Sequence, residues 1–467
     1  MDIEFWPIEK VQPAPYNPRK IEDERIDLLK ESITKTGFIV PILVNRKNNT
    51  IVAGHQRTKT AKLLGIKTLP VNLIEDIELG DEIRFNQIHN SIDLTLANRP
   101  KLLNLNYSKE KFITIPATDF EVKTARAASV KEICSLMIKY GNCLSCVVCK
   151  GEVLYGAEYM RACQVLKKPV KTFIADDSKY DDIRHYINQD YGQFCYDNIE
   201  RHTYVQGLAQ THRDPKGTAG PTFKNKSWLY ARWCIPYCKK AGKGTRVLDF
   251  GCGKGDYIPM MNRLGFPTQG LEFYNNDGAR VNSKRGNKMI DELIETLNEK
   301  GLFDVVFCSS VFNSVDSLEA EDAVATCLNL FAKDKVFFSG RTRDYVDRAV
   351  ATQVDGTMHN FLKYLDKDGF TATYRKGHWF FQKFHTREQV EELAKKHGLK
   401  ILKMMFTKNE STWYCYCQKI ADLPEEQYRK AVDFEFGLVL PNGKRYNRAD
   451  DVWNAINKIY NFENKKG

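Results

Sequence analysis

No stretch of this chain approaches the roughly 20 consecutive apolar residues that a membrane-spanning helix requires. The opening segment MDIEFWPIEKVQP also lacks the basic start and the apolar core of a secretory signal. Blocks of like charge and low-complexity runs are missing, so composition gives no ground for a disordered chain. Cysteine is not scarce, but its number, 13, is odd, and most of it lies in apolar stretches such as those around Cys308 and Cys327. That pattern fits reduced thiols and a cytoplasmic location better than a disulfide framework. The nearest approach to a metal motif is Cys143, Cys146 and Cys149 in CLSCVVC, a strand-like run in which a spacing of three alternates faces. Thiols so placed point apart, and no metal-ligand set is read.

What remains is an ordinary soluble composition on a long chain. The 467 residues are 42% hydrophobic and 12% aromatic, enough for packed cores and too long for one of them, so two to four domains are expected. Lysine and arginine number 70 against 59 acids, a formal charge of +11. The surplus is dispersed, and it favours a polyanionic partner only modestly.

The front half repeats itself. The first copy runs FWPIEKVQPAPYNPRKI, a helix with apolar positions Ile26, Leu29 and Ile33, Gly37, the strand IVPILVN, a turn at Asn48-Asn49, then IVAGHQRTKTAKLLG and the strand PVNLIED. The second runs FITIPATDF, SVKEICSLMIKYG, CLSCVVC, VLYGAEYMRACQVL and PVKTFIADD, with Gly141 answering Gly37, Gly156 answering Gly54 and Arg184 answering Arg84. With NPR near its start and GHQR opening a helix, the first copy resembles the ParB-like domain of partition proteins and of some phage DNA methyltransferases. The resemblance implies that the Gly54-His55-Gln56-Arg57 loop receives nucleotide phosphates or a nucleic-acid backbone, with Asn17 and Arg19 lining the same cleft. Local physics agrees, since a helix N-terminus offers free N–H groups and the positive end of its dipole. A nucleoside triphosphate is one ligand the resemblance implies there. In the second copy the loop reads Gly156-Ala157-Glu158-Tyr159, and a glutamate in an anion cradle repels phosphate. The second copy therefore reads as a degenerate scaffold.

Downstream, VLDFGCGKGDY sets an apolar strand ending in Asp249 before Gly251, Gly253 and Gly255. The glycines let the backbone turn sharply and approach a ligand where a Cβ would clash. Glu272 closes a second apolar run, QGLEFY, roughly 20 residues on, where a doubly wound sheet places an acid to grip ribose hydroxyls. The run resembles the first motif of class I S-adenosylmethionine-dependent methyltransferases. That resemblance gives Gly251, Gly253 and Gly255 the methionine end of the cofactor, Glu272 the ribose, and Asp249 the loop or the cofactor amino group. From Ala241 on, strands and helices alternate until a final hairpin, GLKILKMMF with STWYCYCQK, which predicts a parallel doubly wound sheet with an antiparallel last strand.

The methyl acceptor is written less clearly. At the end of the fourth strand, FDVVFCSSVFNSVD, nucleic-acid aminomethyltransferases carry a polar residue, Pro-Pro and an aromatic; here Ser309 and Phe312 stand without the prolines. Ser309, Phe312 and Asn313 are the candidates for the reacting environment, set against a plain strand end and helix start. The region from Gly244 to Leu399 resembles methyltransferases associated with DNA phosphorothioation, and its GHWFFQK strand offers His378, Gln382 and Lys383 as substrate contacts, with Thr386 capping the next helix. Between the halves, a stretch carrying His212, Arg213, Lys216, Lys224 and Lys226 reads as linker or substrate contact.

The reading is thus an α/β chain: tandem ParB-like α+β domains over residues 1–104 and 105–205, a linker at 206–240, a seven-stranded Rossmann-like methyltransferase sheet at 241–420, and an extension at 421–467 for which packing is the preferred role. S-adenosyl-L-methionine is the expected cofactor, nucleic acid the expected partner with DNA favoured, and a homodimer is compatible with the reading. The alternative is a nucleotide-gated DNA-binding adaptor whose methyltransferase-like domain binds cofactor without catalysis. A third option has the front half using ATP as a small-molecule kinase.

Overall fold

The computed structural model describes residues 3–462 except 18, 90–98, 124, 126, 188, 190, 198, 200, 202–226, 278–279, 345–364, 376, 408–410 and 441. The basic linker residues from His212 to Lys226 lie outside the described residues. The chain divides into two compact units, residues 1–200 with 349–377, and residues 201–348 with 378–467.

In the first unit the apolar spacing of Ile26, Leu29 and Ile33 buries one face of helix α1 (Asp23–Thr36), and Gly37 ends it at φ 77°. Strands β1 (Glu4–Pro7), β2 (Gln12–Pro13), β3 (Ile42–Asn45), β4 (Thr50–Ala53) and β5 (Thr68–Ile74) form a sheet in the order β1-β5-β3-β4-β2. Helix α2 (His55–Leu63) follows β4 directly, and α3 (Leu79–His89) follows β5.

The same pattern recurs further along the chain. Strands β6 (Lys111–Ile115), β7 (Cys146–Cys149), β8 (Glu152–Tyr155) and β9 (Val170–Ile174) form a second sheet in the order β6-β9-β7-β8, with helix α4 (Ala127–Tyr140) before β7 and α5 (Ala157–Leu166) after β8. Pairing senses also repeat: β1 with β5 and β6 with β9 are antiparallel, while β3 with β5 and β7 with β9 are parallel. The two halves share one apolar core, in which Leu43, Val52 and Phe85 of the first meet Cys146, Val148 and Met160 of the second. Lys171, buried on β9, donates to Asn72 Oδ1 across this junction at 2.8 Å. Cys143, Cys146 and Cys149 are buried, and loss of solvent pushes their thiols up to about 12, 12 and 11.

The second unit is a doubly wound α/β fold. Its sheet runs β11-β10-β12-β13-β16-β15, built from β10 (Val247–Phe250), β11 (Thr268–Leu271), β12 (Phe303–Ser309), β13 (Ala332–Thr342), β15 (Leu399–Phe406) and β16 (Thr412–Lys419). A seventh strand, β14 (His378–His385), pairs with the end of β13. Strands β10 to β14 pair in parallel, and β16 is antiparallel to both β13 and β15. Helix α6 (Tyr180–Tyr186) belongs to the first unit; in the second, α7 (Ile235–Ala241) precedes the sheet, and α8 (Ile258–Arg263), α9 (Ser283–Lys300), α10 (Leu318–Phe331) and α11 (Arg387–Lys396) make the crossovers. Ser317 caps α10 by accepting from Ala320 N–H, and Thr386 with Gln389 forms a reciprocal capping box on α11. The chain ends in two further helices, α12 (Glu425–Phe436) and α13 (Ala449–Tyr460). Among the described residues no helix is long and apolar enough to cross a membrane.

Candidate functional site

Strand β10 is buried along its whole length and delivers Asp249 and then the glycine loop to the carboxyl edge of the sheet. Gly251, Gly253 and Gly255 all hold positive φ, at 73°, 58° and 69°. A Cβ on Gly251 would stand 2.4 Å from Val311 Cγ2, so neither the backbone conformation nor the space admits a side chain. Glu272, buried after β11, accepts the Gly253 N–H at 2.8 Å on one oxygen and the Tyr274 N–H at 2.9 Å on the other. Glycine loop and acid are therefore one hydrogen-bonded unit. Asp249 accepts the Tyr230 hydroxyl at 2.7 Å, and the Tyr230 ring lies between Tyr257 and Phe307 with centroids 4.3 and 3.8 Å away. Burial, followed by the charge of Asp249, holds the Tyr230 phenol well above its ordinary range, so it is a hydrogen-bond donor at any working pH. Asn275 donates to the Glu272 carbonyl, while its buried Oδ1 has no hydrogen-bond partner among the described residues.

This donor set fits S-adenosyl-L-methionine. A cradle with no room for a Cβ lies beside two buried carboxylates, one at the strand end and one just past the end of the next strand. The structure thus groups Asp249, Gly251, Gly253, Gly255 and Glu272 at one edge.

On the neighbouring strand end, Ser309 Oγ lies 3.5 Å from Ser339 Oγ, and Ser310, at φ 62°, donates its N–H to the same Ser339 oxygen at 3.1 Å. Asn313 bonds Ser314 Oγ at 3.3 Å through its side chain, and its carbonyl accepts the Lys383 N–H at 3.3 Å. Phe312 is fully buried against Phe338 and Trp413, with centroids at 5.3 and 6.2 Å. As placed it is part of a wall and offers no face for a stacked base. Lys383 is also buried, its Nζ 3.9 Å from Glu321 Oε1, and His385 Nε2 meets the same oxygen at 2.5 Å. Lys383 therefore faces an internal carboxylate. Gln382 is half-buried, and His378 is exposed at the far end of β14.

In the first unit, Gly54 at φ 102° precedes α2, where a Cβ would meet Ile42 Cδ1 at 2.6 Å. Burial pulls His55 down to about 4, so the ring is neutral, and its Nε2 accepts the Ala14 N–H at 3.0 Å. That bond ties the turn in which Asn17 N–H meets the Ala14 carbonyl to the Gly54 loop. The Arg57 guanidinium is buried on the carbonyls of Val40 and Pro41, so a phosphate would have to compete with them for it. Gln56 is half-buried, and the side chain of Arg19 lies outside the described residues. In the second half Gly156 repeats the turn at φ 81°, with a Cβ position 2.7 Å from the Ser145 carbonyl oxygen.

Sequence reasoning missed Tyr230, Glu321 and His385. Tyr230 sits in an aromatic run, WLYARW, whose helical spacing marks core and nothing more, and a buried acid in the apolar helix α10 leaves no pattern.

Two regions of the chain match known families: residues 2–91 the ParB N-terminal domain, and residues 228–404 a methyltransferase domain. The chain is similar to stage 0 sporulation protein J of Bacillus subtilis, with 41% identity over 71 residues that cover 15% of this chain and 25% of that protein. It is also similar to the ParB-like nuclease domain-containing protein YnaK of Escherichia coli, with 30% identity over 77 residues, 16% of this chain and 87% of that one. A magnesium protoporphyrin IX methyltransferase from Synechocystis, solved with bound SAH, overlays at TM-score 0.26 and 15% identity, covering 41% of this chain and 81% of that one. The chain spans 25% to 27% of the length of the sporulation, chromosome-partitioning and nucleoid-occlusion relatives it matches. The two matches together give, in one chain, a ParB N-terminal domain followed by a methyltransferase domain. Through residues 2–91 the chain belongs to the family of ParB N-terminal domains.

Proposed function

We propose that this protein transfers a methyl group from S-adenosyl-L-methionine to nucleic acid, with DNA as the favoured substrate. The observation that carries the reading is the presence, in one chain, of a ParB N-terminal domain and a glycine loop hydrogen-bonded to Glu272. The cofactor supplies an activated methyl group; Gly251, Gly253, Gly255, Asp249 and Glu272 would hold it. Methyl transfer to such a centre asks the protein mainly for alignment and for somewhere to put a proton. Ser309 and Asn313 stand next to the loop's strand and are the polar groups for the acceptor, with Phe312 packing behind them. In the first unit the Gly54-His55-Gln56-Arg57 loop, with Asn17 and Arg19, would take DNA backbone or a nucleoside triphosphate, and the second, glutamate-bearing copy would act as scaffold. The resemblance of the back half to methyltransferases associated with DNA phosphorothioation supports DNA over RNA.

A second reading, a DNA-binding adaptor that holds the cofactor without using it, is favoured by the burial of Phe312 and the missing prolines after Ser309. Transfer of tritiated methyl groups to duplex DNA, single-stranded DNA and RNA separates the two. Label in DNA that disappears in Gly253→Arg supports the enzyme. No label in any polymer, with cofactor binding intact, supports the adaptor.

A further inference from the structure

The segment before β10 carries the aromatic run WLYARW, which the sequence marks only as core. Its backbone is not that of an ordinary helix. Tyr230–Cys234 forms a π-helical turn, closed by the Ile235 N–H on the Tyr230 carbonyl, before the chain settles into α7. Wide turns of this kind are frequent at functional sites.

The side chain that this turn presents is Tyr230. Its hydroxyl donates to Asp249 Oδ2 at the end of β10, at 2.7 Å, and both residues are buried. The ring cannot swing away. Tyr257 stacks on it with 4.3 Å between centroids and 4° between planes, and Phe307 of β12 lies 3.8 Å away at 29°. Tyr257 is held in turn, its hydroxyl oxygen accepting the Ser227 N–H at 2.8 Å. The segment is therefore tied to both flanks of the glycine loop, to Asp249 before it and to Tyr257 after it. Trp228 adds an outer anchor by stacking on Tyr414 of β16 at 4.7 Å.

A phenylalanine would fill the same stack, so the hydroxyl answers to Asp249 and not to packing. The plane of a carboxylate turns easily about the bond that carries it, and a charge-assisted hydrogen bond from a clamped ring fixes that plane. Tyr230 takes one of the roughly four acceptor sites of the carboxylate. A carboxylate whose orientation is set in advance binds a cation without first having to be ordered. The cofactor has a ribose at one end, for which Glu272 stands past β11, and an α-ammonium group at the other.

Resting on the cofactor reading above, we propose that Tyr230 is a positioning residue for the methionine end of the cofactor: it holds Asp249 in the orientation that meets the ammonium group. The two buried acids then have separate tasks, Asp249 the amino acid and Glu272 the ribose. The stretch from Ser227 to Cys234 belongs to the cofactor pocket and not to a linker, in keeping with a family match that starts at residue 228. Without the hydroxyl the ring still fills its stack, but Asp249 is released, and only a ligand with an ammonium group registers the difference.

Calorimetric titration of the full chain with two ligands tests this: S-adenosylhomocysteine, and its analogue lacking only the α-amino group. Wild type is expected to bind S-adenosylhomocysteine about tenfold more tightly than the analogue, and Tyr230→Phe to shrink that ratio to within about twofold by weakening S-adenosylhomocysteine alone. Equal losses for both ligands overturn the proposal, because a pocket that has merely loosened does not distinguish them. An unchanged ratio overturns it as well. Asp249→Asn, which keeps the Tyr230 stack and an oxygen for its hydroxyl, must shrink the ratio in the same way, and adding Tyr230→Phe to it must shrink the ratio no further. Equal wild-type affinities for the two ligands overturn the proposal without recourse to any variant. Failure of wild type to bind either ligand would instead remove the cofactor reading itself.

Discussion

Gly251 concentrates two demands that no other amino acid meets together. Its φ of 73° is costly for an L side chain, and the Cβ it lacks would collide with Val311. Gly251→Ala should therefore pay strain of about 1–3 kcal/mol or shift the loop, and S-adenosylhomocysteine titration should show binding lost before the fold is. Tyr230→Phe is the complementary change. It leaves the volume intact but takes one donor from buried Asp249, and urea denaturation should show a loss of about 1–3 kcal/mol. These two residues also mark how far sequence reading reaches. A glycine between a strand and a helix announces a turn, because backbone geometry is local. A tyrosine that bonds to an aspartate 19 positions away announces nothing, because only the fold brings them together.

Between α10 and β14 lies a charge group that no periodicity reveals. Glu321, His385 and Lys383 are all buried, and the glutamate serves both bases. Burial pushes Glu321 up, but the His385 hydrogen bond and the charges of His385 and Lys383 outweigh it and hold the acid below 4.5. Burial likewise draws His385 below 6.5 despite Glu321. Both shifts have the same consequence. The unfolded chain takes up protons before the folded one does, so stability falls as the pH drops from 6.5 through the carboxylate range. Glu321→Gln should cost roughly 3–5 kcal/mol at neutral pH, since it removes the buried carboxylate that Lys383 and His385 both meet, and should flatten the acid limb of the stability curve. The elements that flank this group were legible. Thr386 with Gln389 makes the capping box that the Thr-Arg-Glu-Gln order predicts, and the closing hairpin pairs antiparallel as its alternation suggests. The role of Lys383 was not legible, because a strand shows which residues alternate and not which of them meets an acid from another helix.

The repeated strand order in the first unit was readable because small, position-specific residues recur with it. Gly54 and Gly156 both hold a positive φ at the same turn, and their sheets share one strand order. The junction between the halves was not readable, since Lys171 meets Asn72 only after both have folded. If the net charge of +11 reflects a polyanionic substrate, binding to duplex DNA should weaken steeply with salt. For about six neutralised phosphates, the expected loss is about 1,000-fold between about 50 mM and about 200 mM, which a fluorescence anisotropy series would read directly. A flat series would argue for a small-molecule acceptor. The chain also passes between its two units three times, after residues 200, 348 and 377. Neither unit is therefore a cassette. A single protease nick cannot sever every covalent tether between them, a deletion of the back half removes residues 349–377 from the front, and recombination that swaps one unit for another must find three breakpoints at once.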